Sequence, residues 1–125
     1  MSGQTPSVLV IDDEEMIRES LQVFLEADGW AVAAAASAEE ALEMLAAGTF
    51  DVAIVDIRLP GISGRDFVLR AHAERPELRF LIFTGSTAFR LDAELAQAGM
   101  SAGDIFAKPL DDLRVLAEAA RRVVA

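Results

Sequence analysis

Five short apolar runs, each followed by a stretch of helical periodicity, restrict the fold of this chain more than any other feature. Val8-Leu-Val-Ile11 is continuous and branched, Val52-Ala-Ile-Val55, inside an expected strand at about 51–55, is small and apolar throughout, and Leu78-Arg-Phe-Leu-Ile-Phe83 is apolar apart from Arg79. Such runs predict strands buried on both faces. Two weaker strands are expected at about Trp30–Ala35, where alanines lower the strand propensity, and at about Asp104–Ala107. Between them Ile17, Leu21, Phe24 and Leu25 mark one face of a helix that stops near Asp28-Gly29. Ser37 with Glu40 three residues later resembles a capping box, opening a helix through Ala41, Leu42 and Leu45 that Gly48 ends. Phe67, Val68 and Ala71 predict a third helix ending before Pro76. Leu91, Leu95 and Ala98 line a fourth that Gly99 terminates, and Leu113, Leu116, Ala117, Ala120 and Val124 a fifth. Strict alternation with short connections implies right-handed crossovers, hence an α/β fold: one doubly wound (βα)5 domain with a parallel sheet covered on both faces. Residues 1–6 read as a flexible lead, and 7–125 as the domain.

Charge narrows the function. Against 21 acidic residues stand 11 Lys and Arg, a net charge of −10, which repels phosphate backbones and anionic lipid. Neither direct nucleic-acid binding nor membrane association is expected. With no cysteine there is no disulfide frame and no thiolate chemistry. The start, Met1-Ser-Gly-Gln-Thr-Pro-Ser7, lacks a basic segment followed by an apolar one, and no apolar run approaches the roughly 18 residues of a membrane span. A cytoplasmic location is the expectation.

The predicted strands place the polar residues. Asp12 and Asp13 follow the first strand, Asp56 the third, Thr84 ends the fourth and Lys108 follows the fifth. In a parallel sheet all five lie on the carboxyl edge, where ligands collect. Taken singly each has an ordinary reading. Acids before a helix serve its cap and dipole, and a lone Asp, Thr or Lys after a strand forms turns or meets solvent. Their coincidence on one rim is the informative fact. Carboxylates drawn together repel by about 4 kcal/mol per pair near 4 Å at an effective dielectric of about 20, so a cation must hold them. Lys108 supplies one charge. An oxygen-only donor set without His or Cys selects a hard ion, Mg²⁺ before Mn²⁺. A nucleophilic Asp, a metal, a Lys and a hydroxyl are the parts for phosphoryl transfer onto a carboxylate.

At this point the sequence resembles the receiver domains of two-component response regulators. The matching pieces are Val8-Leu-Val-Ile-Asp12-Asp13-Glu14, Val55-Asp56-Ile57-Arg58-Leu59-Pro60-Gly61 followed by Gly64, Phe83-Thr84-Gly85, and Lys108-Pro109-Leu110. The resemblance covers essentially residues 7–124. The resemblance implies a flavodoxin-like sheet of order 2-1-3-4-5 and a phosphoacceptor at Asp56, charged by a sensor histidine kinase or a histidine phosphotransfer protein. It implies Mg²⁺ held by the carboxylates of Asp13 and Asp56, by the backbone carbonyl of Arg58 and, through a water, by Asp12. Lys108 would pair with Asp56 and then with phosphoryl oxygens. Thr84 and the backbone N–H of Gly85 would meet the phosphoryl group, and a cis bond would join Lys108 to Pro109. A downstream effector protein or domain would read the face of the fourth helix, fifth strand and fifth helix.

Two departures from the family pattern stand out. Three residues before the Lys, where the family often carries an aromatic, this chain has Ile105, with Phe106 beside it. The interval from Thr84 to Lys108 is also about two residues longer than expected, with the extra residues in Met100-Ser-Ala-Gly103. Two rival readings are a degenerate receiver acting as a phosphorylation-independent interaction module, and a stand-alone Mg²⁺-dependent phosphoesterase. Elsewhere His72 is expected at the solvated surface, Trp30 in the core, and Arg121-Arg122 as complements to the last helix dipole.

Overall fold

Backbone hydrogen bonding follows the apolar runs in the computed structural model, which describes residues 5–124. In chain order the elements are β1 (Ser7–Ile11), α1 (Glu15–Ala27), β2 (Ala31–Ala35), α2 (Ala38–Ala47), β3 (Val52–Val55), α3 (Gly64–Glu74), β4 (Arg79–Thr84), α4 (Ala93–Gln97), β5 (Ile105–Ala107) and α5 (Arg114–Val124). A 3₁₀ turn, Ala102–Asp104, precedes β5. The five strands form one parallel sheet of order β2-β1-β3-β4-β5, the flavodoxin-like order expected. Of the expected lead, residues 1–4 lie outside the described residues, and the Pro6 carbonyl already accepts the Ala31 amide at 2.9 Å.

Side chains alternate across each strand and so build two cores. Leu9, Ile11, Ala53, Val55, Phe80 and Ile82 face α2, α3 and α4, meeting Ala41, Leu45, Phe67, Val68, Ala71 and Leu95. Val8, Val10, Val52, Ile54, Leu81 and Phe83 face α1 and α5, meeting Leu21, Leu25, Leu116 and Ala120. Because both faces are covered, the central strands need no polar side, which explains their unbroken apolar runs.

Local chemistry explains most boundaries. Ser37 accepts the Glu40 amide at 3.1 Å, but the Glu40 carboxylate reaches the amide of Ala36, one residue before the cap, at 2.7 Å. Trp30 is buried as expected, yet it precedes the strand. Its amide bonds the Leu25 carbonyl at the end of α1, so pairing with β1 begins only at Ala31. The fourth helix is shorter than its periodicity predicts. Asp92 is extended and caps it by accepting the Leu95 amide at 3.0 Å, which leaves Leu91 outside. The extra residues near Met100 form a turn of their own. Met100 enters the core, and the buried Asp104 accepts the Ser101 amide at 2.8 Å.

Two other expectations need correction. His72 is half-buried rather than solvated, with its Nδ1 lacking a hydrogen-bond partner among the described residues. It follows the buried Val68 by one helical turn, so α3 carries it to the margin of the core-facing stripe. Arg121 does not simply complement its own helix dipole. Its guanidinium bonds the Asp28 carboxylate and carbonyl and lies 5.9 Å from the centre of the Trp30 ring, tying α5 to the end of α1.

Candidate functional site

Each residue at the carboxyl edge sits where a strand stops but its ladder does not. The amide of Asp12 bonds the Ala35 carbonyl at 3.1 Å, that of Asp56 the Ile11 carbonyl at 3.0 Å, and that of Lys108 the Thr84 carbonyl at 2.9 Å. Three residues just past their strands are thereby held in sheet register, and their side chains converge. Asp12, Asp13 and Asp56 bring carboxylate oxygens within 4.8 Å of one another. The peptide bond between Lys108 and Pro109 is cis.

Behind Asp56 the chain is held closely. Gly61 turns it at φ +77°, a left-handed conformation that glycine adopts without steric cost. Gly64 then packs on the Asp56 backbone so tightly that a Cβ there would fall 2.0 Å from the Asp56 carbonyl oxygen. The start of α3 is thus pressed against the residue it presents, and Ser63 caps it by accepting the Asp66 amide at 3.1 Å.

Lys108 is the centre of the polar network. Its Nζ donates to Asp12 Oδ2 at 2.7 Å, Glu14 Oε1 at 3.1 Å and Asp56 Oδ2 at 3.2 Å, and it lies 5.7 Å from the centre of the Phe83 ring. The expected partner, Asp56, is therefore one of three, and Asp12 holds the shortest bond. Glu14 was not singled out in the sequence, because the run Asp12–Glu15 reads as helix capping. In fact Glu14 occupies the N-cap position without a side-chain cap bond. Asp12 accepts the Glu14 amide at 2.9 Å through its other oxygen, and the Arg18 guanidinium fixes the Asp12 carbonyl at 2.8 Å.

Electrostatics follow from burial. Asp12, Asp56 and Thr84 are 2%, 6% and 2% exposed. Burial pushes the Asp12 carboxyl above the ordinary aspartate range, against the opposing hydrogen bonds from Lys108 and the Glu14 amide. Burial alone would depress the Lys108 ammonium, but hydrogen bonds to Asp12 and Glu14 outweigh it and hold its pKa above the ordinary 10.5. One ammonium among four carboxylates leaves the rim strongly negative.

The opening above these groups measures about 360 Å³ and is lined by Asp13, Glu14, Asp56, Arg58, Thr84, Gly85 and Lys108. Arg58 donates its amide to Asp56 Oδ1 at 3.3 Å. The Thr84 hydroxyl accepts the Ser86 amide at 3.2 Å instead of contacting Asp56. The exposed Asp13 carboxylate has no hydrogen-bond donor among the described residues and is free to take a ligand. The donors fit a hard divalent cation: all are oxygens, they lie close together, and their charge exceeds what Lys108 balances. Ile105 packs against the α3 and α4 core and Phe106 against the α1 and α5 core. The side chain nearer α4 is thus aliphatic.

A family model, the response regulator receiver domain, matches residues 8–120. The chain belongs to the receiver domain family of response regulators. The C4-dicarboxylate transport transcriptional regulatory protein DctD of Rhizobium meliloti is 38% identical over 117 residues, which cover 94% of this chain and 25% of DctD. The transcriptional regulatory protein FixJ of Azorhizobium caulinodans is 34% identical over 110 residues, covering 88% of this chain and 51% of FixJ. This receiver therefore spans about a quarter to a half of the length of those relatives. Among solved structures, the response regulator TrrA of Thermotoga maritima, in complex with Mg²⁺-BeF, superposes with a TM-score of 0.81 at 28% identity, covering 94% of this chain and 98% of that one. Its bound ion agrees with the chemistry of the acidic cluster found here. No helix among the described residues is long and apolar enough to cross a membrane.

Proposed function

We propose that this receiver is a phosphorylation-controlled switch in which Asp56 accepts a phosphoryl group from a sensor histidine kinase or a histidine phosphotransfer protein. An Asp56 carboxylate oxygen attacks phosphorus, the P–N bond to the donor imidazole breaks, and its electron pair stays on that nitrogen. The carboxylates of Asp13 and Asp56, the Arg58 carbonyl and, through a water, Asp12 would hold Mg²⁺. When bound, the ion would supply positive charge to offset that of the incoming phosphoryl group. Lys108 supplies a charge-assisted hydrogen bond to the phosphoryl oxygens, and the Gly85 amide and the Thr84 hydroxyl supply two further donors. The same groups assist hydrolysis of the acyl phosphate, so the domain catalyses its own charging and discharge.

An aspartyl phosphate brings roughly two negative charges and three strong acceptors, by analogy with other phosphorylated side chains. As the Thr84 hydroxyl turns to donate to it, the Ser86 amide that it accepts from is drawn along, which pulls on the segment leading into α4. Moving that segment from 1:99 to 99:1 takes about 5.5 kcal/mol of differential interaction, within reach of a few charge-assisted bonds. The face of α4, β5 and α5 then controls a downstream effector protein or domain.

The observation that carries this reading is the Lys108 ammonium bridging Asp12 and Asp56, groups 96 and 52 residues away in sequence, beside an oxygen-only acidic cluster. Intact mass after incubation with acetyl phosphate and Mg²⁺ tests it. The native chain gains a phosphoryl-sized increment and Asp56→Asn does not. Equal labelling of both chains, or of neither, overturns it.

A further inference from the structure

The three carboxylates around Lys108 exhaust its hydrogen-bonding capacity. An ammonium has three N–H donors and no acceptor. Asp12 Oδ2, Glu14 Oε1 and Asp56 Oδ2 take all three, at 2.7, 3.1 and 3.2 Å. A phosphoryl oxygen entering the opening finds no free donor on Lys108 until one of these bonds breaks.

The three partners do not yield equally. The Asp12 and Asp56 side chains are only 3% and 7% exposed, whereas that of Glu14 is 61% exposed. In the metal-free site, detaching Asp12 or Asp56 would strand a buried charge without its counterion. Detaching Glu14 costs little, because water re-solvates its carboxylate. Glu14 also lines both the phosphoryl-site opening and an adjacent groove walled by Ile17, Leu21, Phe83, Pro109, Leu110 and Leu113, so the released side chain has room on its solvent side.

We propose that Glu14 is a positioning residue that occupies the third donor of Lys108 in the uncharged state and surrenders it when the phosphoryl group arrives. The proposal rests on Asp56 being the acceptor. Glu14 acts through Lys108: it keeps the ammonium turned partly away from Asp56, toward the α1 side of the rim, and so retards charging. Its own chemistry is limited to accepting a hydrogen bond.

Substitution at Glu14 is safe for the fold, since its side chain makes no cap bond and is mostly exposed. Glu14→Gln leaves a neutral, weaker acceptor and Glu14→Ala leaves none. Charging by acetyl phosphate in Mg²⁺, followed by intact mass, is expected to accelerate in the order native, Gln, Ala, with the Ala variant about three- to tenfold faster, the scale of one ordinary net hydrogen bond, since solvent weakens the pairing of the exposed Glu14. In a Lys108→Met background Glu14→Ala is expected to change nothing. In metal-free protein, exchange of the Lys108 ammonium protons with water, read by NMR, quickens in the same order. An unchanged or slower rate in Glu14→Ala overturns the proposal. So does equal acceleration with and without Lys108, which would make Glu14 a simple repulsive charge. If no chain is labelled, native included, the assignment of Asp56 fails, while the ammonium exchange still decides whether Glu14 holds Lys108.

Discussion

Helices α3 and α4 cover the same sheet face and follow the two strands, β3 and β4, whose carboxyl ends line the same opening, yet they are anchored in different ways. α3 runs for 11 residues, starts against the Asp56 backbone through Gly64, and buries Phe67, Val68 and Ala71. α4 has five residues and buries Leu95 alone. The capping aspartate Asp92 starts it, and Arg65 of α3 reaches across to Asp92 at 2.7 Å and Glu94 at 2.5 Å. Under the proposed function the acceptor, Asp56, would be presented by the firmly packed side, and the segment that responds would belong to the loosely packed one. A switch needs this asymmetry, because local opening is easiest where few apolar contacts are lost.

The largest predicted effect tests the firm side. Phe67 is fully buried, and its ring meets Phe80 edge-on with centroids 6.4 Å apart. Phe67→Ala should cost about 3–5 kcal/mol, read as a lowered urea midpoint with the whole domain unfolding together. If only α3 loosened while the midpoint held, the firm side would not be part of the cooperative core.

Gly64→Ala comes next. The added Cβ meets backbone, which cannot swing aside, so the loop carrying Asp56 has to move. About 1–3 kcal/mol of overpacking strain is expected, together with charging by acetyl phosphate slower than in the native chain. A variant that lost stability but charged normally would show that α3 does not fix the acceptor.

Leu95→Ala probes the loose side. The same kind of deletion should cost about 2 kcal/mol, the low end for a buried leucine, because a single-turn helix can collapse into the space. Amide exchange should quicken in α4 and its flanking loops more than in β1 or β3. Uniform acceleration across the sheet would erase the distinction between the two helices.

The pH dependence of stability isolates the rim from both helices. Lys108 has a folded pKa above its ordinary 10.5, so above that pH the unfolded chain holds fewer protons than the folded one. The stability contributed by the ammonium is complete below about pH 10.5 and declines as pH rises toward the folded value. Thermal melting from pH 9 to 11.5 should therefore fall more steeply for the native chain than for Lys108→Met. Parallel slopes would mean that the lysine contributes no linked stability.

The strands and the rim of Asp12, Asp13, Asp56, Thr84 and Lys108 were legible in the sequence, because a parallel sheet puts the carboxyl end of every strand on one edge, whereas the order of the strands came only with the family resemblance. Glu14 was not. Its contact with Lys108 depends on the rotamer of a lysine 94 residues away, while the local pattern of four acids before a helix has a sufficient explanation in capping. The length of α4 was hidden for a related reason. Leu91, Leu95 and Ala98 keep helical spacing, but Asp92 is a stronger start signal than Leu91 is a helical one. Arg121 illustrates the same limit. A cation in a last helical turn suits its own dipole, and only the tertiary approach of α1 reveals Asp28 and Trp30 as its partners.

The smallest effect bears most directly on the asymmetry. Arg65 joins the firm helix to the loose one, with its guanidinium shared between Asp92 and Glu94. These hydrogen bonds hold the arginine pKa above its ordinary value and the Asp92 carboxyl below its own. The groups face solvent, so their pairing adds little to global stability, and Arg65→Gln is expected to leave the urea midpoint unchanged within error. Its consequence is local. Without the guanidinium, Asp92 keeps its cap on the Leu95 amide but loses its tie to α3, and the N-terminus of α4 is free to separate from it. Amides of Leu95, Ala96 and Gln97 should exchange faster than in the native chain, and the difference should shrink as salt is raised, since a screened pair holds less in either protein. Unchanged exchange at those amides would mean that Leu95 alone fixes α4, and that the two helices are joined only through the core.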